Sequence, residues 1–159
     1  MEKIKLAVIG TGEWGKNLVR NFSQLDGAVL SVCCDLDSKK LEAAGKINPG
    51  VKTTRDIKEV LSSPEIDAVI IATSSHTHFK VAKEALTAGK HTYVEKPLTL
   101  NVRDAEELVS IAKEKKKTKP SSRTPRPPRE GSILARPMTG MTNKKLPKET
   151  SCVKLNARI

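Results

Sequence analysis

Ile4-Lys5-Leu6-Ala7-Val8-Ile9-Gly10-Thr11-Gly12-Glu13-Trp14-Gly15 reads as a short apolar strand running into a glycine-rich loop. Trp14, Leu18, Phe22 and Leu25 then recur at helical spacing. Glycine is common in turns, so Gly-x-Gly-x-x-Gly gains its meaning from that strand before it and that helix after it. Each glycine then has a separate task. Gly10 permits the tight turn, Gly12 leaves room for a pyrophosphate, and Gly15 lets helix and strand pack closely. The helix start offers unpaired N–H groups and the positive end of its dipole to an anion.

Outward from this stretch, strand and helix patterns alternate through residues 1–117, as in a parallel sheet covered on both faces. The expected strands are Ile4 to Ile9, Ala28 to Cys34, Val51 to Thr53, Asp67 to Thr73 and Thr92 to Val94. The expected helices carry Leu41 and Ala44 (closed by Gly45), then Ile57, Val60 and Leu61, then Phe79, Ala82, Ala85 and Leu86 before Gly89. A last helix is capped by Asn101 and turns Ala105, Leu108 and Ala112 inward. The fold class is therefore α/β, a doubly wound parallel sheet of about five strands, with one domain over 1–117.

Residues 118–159 read differently. The formal charge is +11, yet residues 1–112 carry 15 basic and 15 acidic side chains, while 113–159 carry 14 basic and 3 acidic. Large apolar residues number 35 in the first region and 8 in the second, which also holds six of the nine prolines. Burial of so few apolar side chains falls far short of the entropy of ordering that many residues. A disordered Pro/Arg/Lys-rich tail is expected. All four aromatics (Trp14, Phe22, Phe79 and Tyr93) lie ahead of it. Bases would have nothing there to stack on, so no specific nucleic-acid partner is expected, only salt-sensitive phosphate attraction.

The apolar run Leu6 to Ile9 is too short for a signal segment or membrane span, so no membrane association is expected. Three cysteines without an export signal point to a reducing cytoplasm. Cys33 and Cys34, adjacent in a strand, should face opposite sides and serve as buried small hydrophobes. His76 and His78 flank Thr77, but no cluster completes a metal site, and none is expected. His91 opens a strand and reads as structural. Trp14 has two readings, a staple packed onto the sheet, which is favoured, and a cofactor contact.

Asp35 ends the second strand 20 residues beyond Gly15. A carboxylate there accepts the adenosine ribose hydroxyls and repels a 2′-phosphate, so NAD is the expected cofactor. Ser38, Lys39 and Lys40 leave NADP open. Asp37 reads as solvated or as a helix cap. Glu95-Lys96-Pro97, at the end of the fifth strand, places an ionisable Lys at the mouth of the same sheet.

With Gly10-Thr11-Gly12-Glu13-Trp14-Gly15-Lys16-Asn17, Ala72-Thr73-Ser74-Ser75-His76-Thr77-His78 and Glu95-Lys96-Pro97 in place, the chain resembles the Gfo/Idh/MocA family of NAD(P)-dependent oxidoreductases. It looks closest to members acting on sugars or nucleotide sugars, and the match covers the family's N-terminal Rossmann domain. The resemblance implies that Lys96 is the catalytic residue, reaching the reacting hydroxyl and the nicotinamide ribose. It also implies cofactor contacts at Gly10, Gly12, Glu13, Trp14, Gly15, Asp35, Thr73, Ser74, His78, Glu95 and Lys96. Ser74 stands where the family usually has proline, so a less rigid loop is expected.

Family members continue with a sixth strand and a second domain that binds the small-molecule substrate and supplies a His acid/base. No counterpart is recognisable after Lys117. Homo-oligomers belong to the full-length relatives and are not carried over to this chain. Lys115-Lys116-Lys117-Thr118-Lys119 requires adenine-rich codons, where a reading frame is easily lost. The preferred expectation is a truncated or frameshifted dehydrogenase with an out-of-frame tail. The rival is a non-enzymatic NAD-binding module whose basic tail docks on an acidic partner. Resequencing the codons of residues 113–120 separates the two.

Overall fold

The structure is a computed structural model and describes residues 3–117. The expected tail, residues 118–159, lies outside the described residues. Five strands, β1 (Ile4–Ile9), β2 (Ala28–Cys34), β3 (Lys52–Thr54), β4 (Ala68–Ile71) and β5 (His91–Val94), form one parallel sheet in the order β3-β2-β1-β4-β5. Five helices connect or follow them: α1 (Gly15–Ser23), α2 (Ser38–Ile47), α3 (Ile57–Ser62), α4 (Ser75–Thr87) and α5 (Val102–Lys117).

Strand alternation divides the core into two layers. Leu6, Val8, Leu30, Cys33, Ala68 and Ile70 face α1 and α2, meeting Leu18, Val19, Leu41 and Ala44. Ala7, Ile9, Cys34, Val69, Ile71 and Val94 face the other way, against α3, α4 and α5. The α/β doubly wound sheet with helices on both faces is therefore present. The two cysteines do point to opposite sides, and both are buried.

Several element bounds differ from expectation for local reasons. Gly45 does not close α2, which continues to Ile47, where Asn48 caps it. Asp37 caps the start of that helix by accepting from the Lys39 N–H. β4 is shorter than expected because Asp67 turns its carboxylate onto the Lys5 N–H at 2.8 Å, and Thr73 enters a loop. α1 ends before Leu25, and Val19, absent from the expected helical stripe, is fully buried. Gly89, at φ +77°, follows the C-terminus of α4 as expected. Asn101 caps α5, accepting from the Asp104 N–H at 2.9 Å.

The register decides where the site forms. Ile9 pairs with both Cys34 and Ile71, and Ile71 pairs with Val94, so four strands end in one row. The ladder continues one residue further at each loop. Gly10 donates to the Cys34 carbonyl, Ala72 to Ile9, and Glu95 to Ile71. The three motif loops thus leave the sheet side by side. Between β1 and β4 the strand order reverses, and a parallel sheet opens its ligand crevice at such a switch point.

Candidate cofactor site

The glycine loop is built on contacts that only hydrogen atoms allow. Gly10 has φ +91°, and a Cβ there would stand 2.6 Å from the Ala72 carbonyl. A Cβ on Gly15 would stand 2.0 Å from the Gly10 carbonyl oxygen. Gly12 is different, since a Cβ there would meet only the Lys40 Nζ, at 4.0 Å. The loop is clamped at its ends and open in the middle, as a pyrophosphate cradle requires. Trp14 heads α1, and no side chain caps that helix, so its dipole faces the loop. The Glu13 side chain turns away to Lys16 at 2.8 Å, and that bond holds its carboxyl below the usual range.

Asp35 is held in place from two sides. Its Oδ2 accepts from the Thr11 N–H at 2.7 Å and from the Thr11 hydroxyl at 3.3 Å, while Oδ1 accepts from the Asp37 N–H at 3.0 Å. Oδ1 keeps a lone pair for a further donor, and rotation of the Thr11 hydroxyl frees another on Oδ2. Thr11 is buried, and its part in fixing the carboxylate is not visible in the motif itself. The residues present fit a dinucleotide: an open glycine loop, an uncapped helix start and an oriented carboxylate.

A cavity of about 300 Å³ opens beside this loop, lined by Trp14, Ala72, Thr73, Ser75, His78, Glu95 and Lys96. Five of these were expected from sequence, whereas Ala72 and Ser75 were not. Trp14 is not a staple. It is 61 % exposed and stands at the cavity rim. It precedes the first turn of α1, ahead of the Leu18 and Val19 stripe that packs on the sheet.

Ser74 is exposed and does not line the cavity. Its φ of −65° is the value a proline ring imposes, so the loop keeps the path that proline would give it. Thr77 secures this loop, donating to the Ser74 carbonyl at 2.7 Å, and its hydroxyl lies 2.8 Å from that of Thr73.

Glu95 is tethered by Tyr93, whose hydroxyl donates to Oε1 at 3.1 Å, and by the Lys96 N–H at 3.3 Å. Tyr93 lies two residues before Glu95, so strand alternation offered a signal for this pair that went unused. The Lys96 side chain is exposed and makes no ion pair among the described residues. His76 is exposed, whereas His78 is buried and packed between the two cavity loops. His91 opens β5, and burial lowers its pKa. Among the described residues, no group of three His, Cys, Asp or Glu is placed to hold a metal ion. No described helix is long and apolar enough to cross a membrane.

Burial pushes the Cys33 thiol up to about 12, with Cys34 adding to it. Burial pushes Cys34 up to about 11, helped by Asp35, Asp56 and Glu59. A raised folded pKa means that the native state keeps these protons longer. Stability is therefore undiminished below the unfolded thiol value of 9.0 and is lost as pH rises through the folded values. The expected result is an unfolding midpoint that falls steadily above about pH 9. Iodoacetamide at about pH 8 should leave both thiols unmodified in the folded protein and label them in denaturant. Labelling of the native chain at either position would contradict this picture.

This fold and this site together define a dinucleotide-binding domain. The family model described as "Oxidoreductase family, NAD-binding Rossmann fold" (Gfo/Idh/MocA) matches residues 4–120. The chain belongs to that family, and NAD is the cofactor of its Rossmann domain. Among curated relatives, it is 32 % identical to "Glycosyl hydrolase family 109 protein 2" of Shewanella sp. (strain ANA-3), over 70 % of this chain and 26 % of the relative. It is 34 % identical to an uncharacterised oxidoreductase of Streptococcus pneumoniae, over 70 % of this chain and 29 % of the relative. Among solved structures, scyllo-inositol dehydrogenase from Lactobacillus casei, with bound NAD(H) and scyllo-inositol, superposes with a TM-score of 0.66 at 28 % identity. That match covers 72 % of this chain and 34 % of the dehydrogenase. The chain thus spans about a third or less of the length of these relatives.

Proposed function

We propose that residues 3–117 are the cofactor-binding part of an oxidoreductase that moves hydride between NAD and a hydroxyl-bearing carbon of a sugar, nucleotide sugar or similar polyol. The observation that carries this reading is the convergence of Trp14, Thr73, Glu95 and Lys96 on one cavity beside the open glycine loop. Gly10, Gly12, Gly15 and the Glu13 backbone form the pyrophosphate cradle, and Asp35 takes the adenosine ribose. Thr73, with Ser74 behind it, lines the nicotinamide side together with Glu95, and Trp14 stands at the rim. Bound NAD supplies the hydride acceptor.

Lys96 has the chemistry for the remaining step. Hydride leaves a carbon only as the proton leaves its hydroxyl, and a cationic amine beside that oxygen stabilises the developing negative charge. Its side chain is exposed at the cavity and unpaired by any acid among the described residues, so it is available to a substrate oxygen. The scyllo-inositol of the Lactobacillus casei enzyme is a cyclic polyol, which suits the proposed substrate class. NADP is the lesser expectation, because Asp35 would face its 2′-phosphate.

In this reading, positioning of the substrate falls to the portion of these relatives that the chain does not match. We therefore expect the 159-residue chain to bind NAD and to turn over no sugar or polyol alone, since loss of positioning removes several kcal/mol of catalysis. Calorimetric titration with NAD, beside an NADH-absorbance assay over sugars, inositols and nucleotide sugars, tests both halves. Absence of NAD binding sinks the reading. Robust turnover that Lys96→Ala abolishes would show the short chain to be a complete enzyme.

A further inference from the structure

His78 is the one buried ionisable side chain at this cavity, at 2 % exposure. It belongs to α4, yet its ring spans two loops. Nδ1 lies 2.7 Å from the Pro97 carbonyl oxygen, and Nε2 lies 3.0 Å from the Thr73 carbonyl oxygen. Both partners only accept, so a neutral ring donates to one of them and packs against the other, and the doubly protonated ring donates to both. Thr73 and Lys96 stand on opposite sides of this bridge and line the same cavity.

The attachment matters because residues 96–100 have few others. Glu95 is still held by the sheet, through its N–H to the Ile71 carbonyl. Beyond it, the Lys96 N–H bonds only to its neighbour Glu95, and the Thr99 hydroxyl only to Asn101. Among the described residues, the His78 contact to Pro97 is the one hydrogen bond joining residues 96–100 to an element other than their own turn. Leu98 adds apolar packing against the core, which restrains position less narrowly than a directed bond.

We propose that His78 is a positioning residue: it ties the Lys96-Pro97 turn to the Thr73 loop and so sets the width of the nicotinamide half of the site. It touches neither ribose nor pyrophosphate in this role. The rigid ring acts as a spacer, and Lys96 is held at a fixed distance from Thr73 by it. The adenosine half, built from Gly10, Gly12, Gly15 and Asp35, shares no hydrogen bond with His78 and should not sense it.

The proposal rests on the cofactor reading above, and the test separates the two. The full chain, with His78→Gln and His78→Leu, is titrated with ADP and with NADH. ADP reports the adenosine half alone. Trp14 is the sole tryptophan and stands at the cavity rim, so energy transfer from its emission to NADH reports the nicotinamide half. ADP affinity is expected to stay within about twofold of wild type in both variants, whereas NADH affinity falls about fivefold for Gln, which keeps one donor, and more for Leu. Energy transfer from Trp14 falls in the same order.

An unchanged ratio of NADH to ADP affinity in a folded variant overturns the role of His78. Equal weakening of both ligands also overturns it, since a purely structural residue would act that way. Should the Leu variant not fold, the ratio in the Gln variant decides alone. Wild-type chain that binds neither ligand would overturn the cofactor reading itself and this role with it.

Discussion

Gly15→Ala is expected to cost the domain at least about 3 kcal/mol and to abolish NAD binding. The added carbon would stand 2.0 Å from the Gly10 carbonyl oxygen and 2.8 Å from its carbonyl carbon. Neither is the end of a flexible side chain. Gly10 itself has little room to retreat, because its N–H is bonded to the Cys34 carbonyl at 2.8 Å and even a Cβ on it would stand 2.6 Å from the Ala72 carbonyl. Relief therefore requires α1 to lift away from β1, which opens the Leu18 and Val19 packing and withdraws the helix start from the phosphate position. Gly45→Ala is the matched control. It sits inside α2 with no atom within 4 Å of the new carbon, and it should gain about 0.5–1 kcal/mol. Urea midpoints for both variants, with calorimetric titration of NAD, check the pair. A Gly15→Ala protein of wild-type stability would mean that the Gly10–Gly15 contact is not what seats the helix.

Asp35→Ala is expected to weaken NAD binding by about ten- to a hundredfold while leaving NADP binding nearly unchanged. The difference between the cofactors comes from the ribose. A carboxylate oriented by Thr11 and Asp37 accepts two free hydroxyls but repels a 2′-phosphate, so its loss harms only the first. The structure adds a second consequence. Removing the carboxylate also strips the partner from the N–H of buried Thr11, and stability should fall by about 1–3 kcal/mol. Asp35→Asn separates the two effects, since it keeps an oxygen for Thr11 but loses the charge. Its stability should approach wild type while its preference for NAD declines. Equal losses for NAD and NADP in both variants would count against a role at the ribose.

Much of this architecture was legible in the chain itself. The five strands, the glycine loop, the Asn101 cap and the inward face of Leu108 and Ala112 all follow from patterns that span a few residues. Period, cap chemistry and glycine placement act locally, and here nothing in the tertiary packing opposes them. Gly45 shows the limit of such reading. A glycine signals a helix end only where the backbone needs a positive φ, and α2 satisfied its terminus three residues later at Asn48.

Which site side chains meet was decided by the sheet order. Trp14 read as a staple because helical spacing placed it above the sheet, yet α1 begins one residue later and the ring stands exposed at the cavity rim. Thr11 and Asp35 are 24 residues apart, and only the pairing of β1 with β2 brings that amide and that carboxylate together. His78 and Pro97 are 19 apart and meet because β4 and β5 end in the same row. The sequence by itself determined the dinucleotide-binding sheet and the residues at its loops that could carry chemistry, because those signals are local. The tertiary structure decided which of them touch. Those contacts depend on the strand order β3-β2-β1-β4-β5, which no short-range pattern contains.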